Sequence, residues 1–381
     1  EQRRYSLELA VKAARDRSNH LADICDCSNF LADASHGTSV KNEGVERPCS
    51  VPAEDKDSAD EDPLTVVLDM GGFSLKAGFA GDDAPRVVMR SLIAVAAEDR
   101  KYDNAIVFDV DQQNKEEGLN QCSSSRLVYP MEHGIVTDWA AMNKIWSHIF
   151  CNELRVAPEN SSLLVTEPPL NPTANRERIF QEAFNVFKFM SIYVEIKAVL
   201  ALYSSGRTTG LVAHCGDSGT HTVPIYEGFM LPHAVMRTNV GGRTVTDKLM
   251  ETLSGSGLTF PNMAACDAIS NVKMKCCEVV SNGRAATCKK KVHEFPDGRK
   301  VMLGRERFEV PEVLFAAPTT GGVGSGIPSL IFQSLMKCPI DIRKDLFSSI
   351  VLSGGATMMD GLPTRVQQEV SKLVSVGKRP V

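Results

Sequence analysis

TVVLDMGGFSLKAGFAG, residues 65–81, runs a short apolar strand into an aspartate, turns on two glycines and leaves through a second strand. GLVAHCGDSGTHTVPIYEG, residues 210–228, repeats the plan, and aligning the glycines sets Asp69 against His214, Gly71 against Gly216 and Gly72 against Asp217. Internal similarity of this kind predicts two related halves, each opening with a glycine hairpin. A glycine turn lets backbone N–H groups approach an anion closely, and a strand-end carboxylate can hold Mg²⁺ through its waters. Two such hairpins facing one another would grip a phosphate tail from both sides. One glycine hairpin alone is an ordinary tight turn. Two in register, with a third glycine pair at Gly354 and Gly355 after the strand SSIVL, carry more weight.

The text around the hairpins is that of an α/β protein. LTVVLDM, SLLVTE, TGLVAHC and IVLSG read as short strands, and they alternate with NKIWSHIFCNEL, RERIFQEAFNVF, TDKLMETL and RVQQEVSKLV, whose apolar residues recur at helical spacing. At 381 residues and 43% hydrophobic composition the chain can bury a large core in two domains or one two-lobed body. The formal charge of -5 and the absence of an isolated Lys/Arg block argue against a nucleic-acid partner. No apolar run is long enough for membrane insertion as a helix.

Residues 1–63 differ in texture. SLELAVKAARDRSNHLADI has a moderate helical pattern, and between Glu54 and Asp62 six acids and one lysine give a net -5, as in an acidic linker. The 11 cysteines are scattered without a C-x-x-C pair, which fits free thiols in a reduced, intracellular setting. Cys25, Cys27, His20 and His36 lack the second matched pair that a zinc site needs. A chain opening on Glu1 reads as a partial or processed product.

Seven stretches make a specific resemblance. KAGFAGDDAPR (76–86), YPMEHGIVTDW (129–139), NELRVAPE (152–159), LYSSGRTTG (202–210), THTVPIYEG (220–228), MKCPIDIRKDL (336–346) and VLSGGATM (351–358) closely resemble actin and the actin-related proteins, over residues 64 to about 372. The resemblance implies the two-lobed, ribonuclease H-like α/β fold of actin, Hsp70 and the sugar kinases, with a central nucleotide cleft for ATP or ADP and Mg²⁺. It implies a small lobe over 64–204 and a large lobe over 205–381. By position it assigns Asp69, Gly71, Gly72 and Lys76 to the first phosphate hairpin, with Asp69 holding water on the metal. Gly216, Asp217, Ser218 and Gly219 fall in the second hairpin, Lys273 at the adenosine, and Gly354, Gly355 and Met358 at the base. The cytoplasm and its cytoskeleton, with other cytoskeletal or actin-binding proteins as partners, are the setting the resemblance implies.

The departures bear on chemistry. The family's second metal-organising aspartate is His214 here, a poor ligand for a hard, oxygen-seeking cation. Its water-orienting glutamine is Lys197 in YVEIKAVL. Gly72 stands for a serine and Phe73 for a glycine, while Met274 and Met359 replace a ribose-holding glutamate and an aromatic near the base. Because hydrolysis of a phosphoanhydride depends on positioning and electrostatics, these changes predict weakened or absent ATP hydrolysis, with Mg²⁺ bound weakly or not at all. Two outcomes stay open for binding. Lys197 and His214 together add two or three positive units, according to the protonation of His214, and could replace the charge of the metal; or the cleft is empty. A conventional filament-forming ATPase and a truncated product without nucleotide function are the competing readings.

Assembly contacts are altered as well. PEVLFAAPTTGGVGSG offers Thr319 and Thr320 where the family carries a large apolar plug, and residues 95–118 replace its apolar DNase-binding loop with polar text. Both argue against self-assembly like that of conventional actin. Ending in SVGKRPV, the chain is expected to lack the family's return segment into the small lobe. His133 matches a histidine often methylated in the family, and His221 is placed for an indirect role near the phosphates. A Cys/His nucleophile pair or a zinc site from His214, Cys215 and His221 is disfavoured, because adjacent strand residues point to opposite faces.

Overall fold

A computed structural model describes residues 64–96, 99, 101–109, 125–255, 263–281, 290–295, 298–315 and 326–377. The expected N-terminal helix and acidic linker, Cys25 and Cys27, half of the polar segment 95–118, and Thr319 and Thr320 lie outside the described residues.

Each half is built round its glycine hairpin. In the first, β1 (Leu64–Met70) and β2 (Ser74–Phe79) pair antiparallel, with Asp69 opposite Lys76. On the β2 side follow β3 (Val87–Ala96), then β4 (Ile106–Asp109) and β5 (Ser125–Val128), both on β3. The strands β6 (Met131–Glu132) and β7 (Ile135–Val136) form a separate small hairpin. On the β1 side β8 (Ser161–Glu167) and β9 (Ser191–Ile196) add in parallel.

The second half pairs β10 (Gly210–Cys215) with β11 (Thr220–Tyr226), antiparallel. Strands β12 (Phe229–Met230) and β13 (Met236–Thr238) pair with β11, and β14 (Lys291–Glu294) with β15 (Lys300–Leu303) makes a separate hairpin. The late strand β16 (Ile350–Ser353) joins β10 in parallel. The repeat seen in the sequence is therefore a repeat of topology: a glycine hairpin whose first strand takes a parallel partner on its far side. Leu68 pairs with Val165, which brings the next pair, Asp69 and Thr166, together; at the equivalent place His214 pairs with Ser353.

Helices cover both sheets. In α1 (Trp139–Ser147), Asp138 caps the N-terminus by accepting from the Ala141 N–H at 3.0 Å, and Ala141, Met142, Ile145 and Trp146 form the buried stripe. Beyond its end Phe150 meets Trp146, Phe187 and Phe189 with ring centroids 5.8, 5.5 and 5.0 Å apart. Burial stabilises each such ring by about 1.5–3 kcal/mol, and edge-on packing adds roughly 0.5–1.5 kcal/mol per pair. After α2 (Thr173–Gln181) and β9 comes α3 (Lys197–Tyr203), whose Ala198, Val199 and Leu202 pack on Val212, Val223 and Ile225 of the second sheet. Lys197 is thus the first residue of the helix that leads from one sheet to the other.

The second core is held by α4 (Gly242–Ser254), α5 (Met263–Cys276), α6 (Ile327–Lys337) and α7 (Leu362–Gly377). Val245 and Leu249 of α4, Ile269 and Val272 of α5, Ile331 of α6 and Val366 of α7 are all buried in it. The expected two-lobed α/β architecture is the one the chain adopts. Of the described cysteines, Cys215, Cys276, Cys277 and Cys338 are free and buried, whereas Cys151 is disulfide-bonded, a correction to the expectation of free thiols alone. Among the described residues no helix is long and apolar enough to cross a membrane.

Candidate functional site

The two hairpin turns face each other. A Cβ placed on Gly72 would lie 3.1 Å from the Ser218 hydroxyl oxygen, and His133, at the turn between β6 and β7, brings its Nδ1 to 3.3 Å from the Ser218 carbonyl oxygen. Between them opens a cavity of about 420 Å³ lined by both turns, with Tyr129, His133 and Arg243 among its walls. That volume falls in the range of small-molecule sites. Among the described residues the N–H groups of Gly72, Asp217 and Ser218 donate to no protein acceptor.

Asp69 is the most heavily engaged residue. Its Oδ1 accepts from Lys197 Nζ at 2.9 Å and from the Thr166 hydroxyl at 2.8 Å, and its Oδ2 lies 4.0 Å from Lys76 Nζ. Lys197 Nζ also donates to the Met70 carbonyl at 2.8 Å, and Thr166 accepts from the Met70 N–H at 3.0 Å. Burial would raise the carboxyl, but the ammonium groups of Lys197 and Lys76 and the hydrogen bonds from Lys197 and Thr166 outweigh it and hold Asp69 far below the usual carboxylate range. Thr166 was not anticipated from the sequence; its signal, a polar residue at the end of an otherwise apolar strand, is visible only once β8 is known to flank β1.

His214 occupies the equivalent place in the second hairpin, its Nδ1 3.3 Å from the Ser353 hydroxyl. Burial, with Lys197 and His221 adding to it, pushes its imidazole down to about 3, so it is neutral at pH 7. The expected gain of two or three positive units relative to the family pattern is therefore fixed at two: one charge added by Lys197 and one carboxylate removed at His214. Across the hairpin His221, pushed down to about 4 by burial and by Arg237 and Lys197, keeps its Nε2 buried and without a hydrogen-bond partner.

The second turn is braced from behind by the N-terminus of α4. Gly216 and Asp217 accept through their carbonyls from the N–H groups of Gly242 and Arg243 at 2.8 and 2.9 Å. Gly241 permits this contact, since a Cβ there would lie 2.6 Å from the Gly219 nitrogen. The Asp217 carboxylate pairs with Arg243, 2.9 Å from Nη2 and 3.1 Å from Nε. Gly216 and Gly219 close the turn on each other, N–H to carbonyl, at 3.0 Å.

The residues expected around the adenosine differ in their exposure. Lys273 is 5% exposed and donates to the Gly242 carbonyl and the Thr246 hydroxyl at 2.9 and 2.8 Å, beneath the start of α4. Gly354 packs on the Cys215 backbone, while the space where a Gly355 side chain would stand is open. Met358 and Met274 are exposed, whereas Met359 is buried in the second core.

Neither hairpin fits Mg²⁺. The ion takes oxygen ligands in near-octahedral order, and the carboxylates the hairpins offer are already held, Asp69 by Lys197, Thr166 and Lys76 and Asp217 by Arg243. Among the described residues no three His, Cys, Asp or Glu side chains are grouped to hold a metal ion.

The architecture and the sequence point the same way. The family model for actin matches residues 61–380. A match over most of the chain, on a two-lobed α/β body whose sheets repeat one hairpin topology, places this protein in the actin family.

Proposed function

We propose that the chain is an actin-like structural or assembly subunit of the cytoskeleton whose cleft binds ATP or ADP and hydrolyses it weakly or not at all. Binding is supported by the paired glycine turns, which present unspent N–H groups to one cavity. The observation that carries the loss of hydrolysis is the placement of Lys197. An ammonium group has three donors and no acceptor, so it cannot accept a hydrogen bond from an attacking water and orient it, as a side-chain amide oxygen can. Two of its three protons are committed, to Asp69 and to the Met70 carbonyl. His214 offers no substitute base, because an imidazole pushed down to about 3 is too weak near neutrality. Cytoplasmic localisation and other cytoskeletal or actin-binding proteins as partners belong to the same reading.

Phosphate release from ATP tests it. The double variant Lys197→Gln with His214→Asp restores an amide and a second carboxylate, and is expected to turn over at least about tenfold faster than the parent chain. If the parent chain already hydrolyses ATP at the rate of the double variant, the reading of these two positions is wrong.

A further inference from the structure

We infer that the Lys197 ammonium is the resident cation of the cleft, standing in for a divalent metal, so that the site takes a nucleoside polyphosphate as the free anion rather than as its Mg²⁺ complex. The inference rests on the nucleotide-binding reading above and specifies the ionic form of the ligand.

Three observations support it. The first is geometric. Lys197 Nζ sits 2.9 Å from Asp69 Oδ1 and 2.8 Å from the Met70 carbonyl oxygen, which puts a fixed positive charge at the end of β1. Asp69 is the only carboxylate at either strand end, and its partners already satisfy it.

The second is electrostatic. A divalent ion drawn to Asp69 must either displace the ammonium or share the carboxylate with it. Displacement leaves Lys197 in a part-buried position without its counter-ion, and sharing sets two cations within about 4–6 Å of each other, where like charges disfavour one another. Lys76 Nζ, 4.0 Å from the other oxygen of Asp69, adds a third positive centre. The site is built against a divalent ion.

The third is a balance of charge and donors. Putting a lysine for glutamine at 197 and an uncharged imidazole for aspartate at 214 raises the charge of the two hairpins by two, the charge of one Mg²⁺. Lys197 keeps one unspent proton. Lys76 is half exposed beside the turn, and the N–H groups of Gly72, Asp217 and Ser218 are free to donate. Charge-assisted and backbone donors of this kind are what phosphate oxygens need when no metal bridges them.

Calorimetric titration of ATP into the full chain, once in excess MgCl₂ and once in excess EDTA, tests the inference. The expected result is an affinity in EDTA equal to or greater than that in Mg²⁺, to within about threefold. The double variant Lys197→Gln with His214→Asp is expected to reverse the preference and to lose at least about tenfold in affinity on chelation. A loss of tenfold or more for the parent chain in EDTA would overturn the inference and leave the nucleotide-binding reading standing. No heat of binding in either buffer, from protein that melts cooperatively, would overturn both. A double variant indifferent to EDTA would show that these two positions do not set the metal requirement, and would overturn the inference as well.

Discussion

Replacing Gly354 by alanine is expected to lower the unfolding free energy by about 4 kcal/mol, while the same change at Gly355 alters it by less than about 0.5 kcal/mol. Gly354 has φ 95° and ψ 153°, a region that residues with a side chain rarely enter. An added methyl group would also press on the carbonyl oxygen and carbonyl carbon of Cys215, backbone at the end of β10 that cannot rotate away. Conformational strain contributes roughly 1–3 kcal/mol and the overlap a similar amount. Gly355 has a negative φ and nothing within 4 Å of the place its methyl group would take. Urea unfolding of the two variants beside the parent chain gives the comparison directly. Equal losses at both positions would mean that the close approach of β16 to β10 is not what holds this corner. Because Cys215 leads directly into the second glycine turn, loss of the contact is expected to loosen that turn as well.

Much of this architecture is legible in the sequence, for physical reasons that can be named. Apolar runs bounded by glycine pairs mark β1, β2, β10 and β11, and LTVVLDM matches Leu64–Met70 residue for residue. Hairpin partners are close in the chain, so local signals suffice to find them. The parallel partners are not found this way. Nothing in SLLVTE says that it will lie against LTVVLDM, and nothing in IVLS says that it will lie against β10. Those pairings depend on long-range packing, yet they put Thr166 on Asp69 and Ser353 beside His214.

The candidate site divides in the same way. Lys197 and His214 stand out as departures from a family pattern, but their consequence requires distances. That Lys197 would reach back to Asp69 and to the Met70 carbonyl, across 127 residues in the latter case, is a product of the helix start after β9. The charge state of His214 is decided by burial and by the same lysine, neither of which a sequence displays. Met358 and Met359 add a third case: the first is exposed and the second is buried in the core at the end of the tight turn Gly355–Met358, a difference their positions in the sequence do not display.

His214 and His221, with the more exposed His293 also lowered by burial, Lys275 and Lys291 and acting in the same direction, make stability depend on acid in a way that can be measured. Between pH 7 and pH 5 the chain is expected to lose roughly 3 kcal/mol of unfolding free energy, and a variant with His214→Asn and His221→Asn to lose less than about 1 kcal/mol. The sign follows from the protons. In the unfolded chain both imidazoles titrate near 6.5, whereas in the folded chain they hold out to about 3 and about 4. As pH falls through 6.5 the unfolded chain gains protons that the folded chain refuses, so stability drops until the folded pKa is reached. Burial is the main cause at both sites. Lys197 and Lys76 add repulsion at His214, partly offset by Asp69, and Arg237 and Lys197 add it at His221. At pH 5 each group would contribute about 2 kcal/mol, and partial exposure of both rings brings the sum below the full figure. Glu167 and Asp247, whose carboxyls burial raises, act in the opposite direction, and Asp69, held low, begins to matter only below its ordinary range near 3.8. Urea melts across the interval read the slope rather than the absolute stability, so a variant that starts weaker is still informative. An unchanged slope in the double asparagine variant would place the acid sensitivity elsewhere, and would remove the ground for treating the cleft imidazoles as neutral at pH 7.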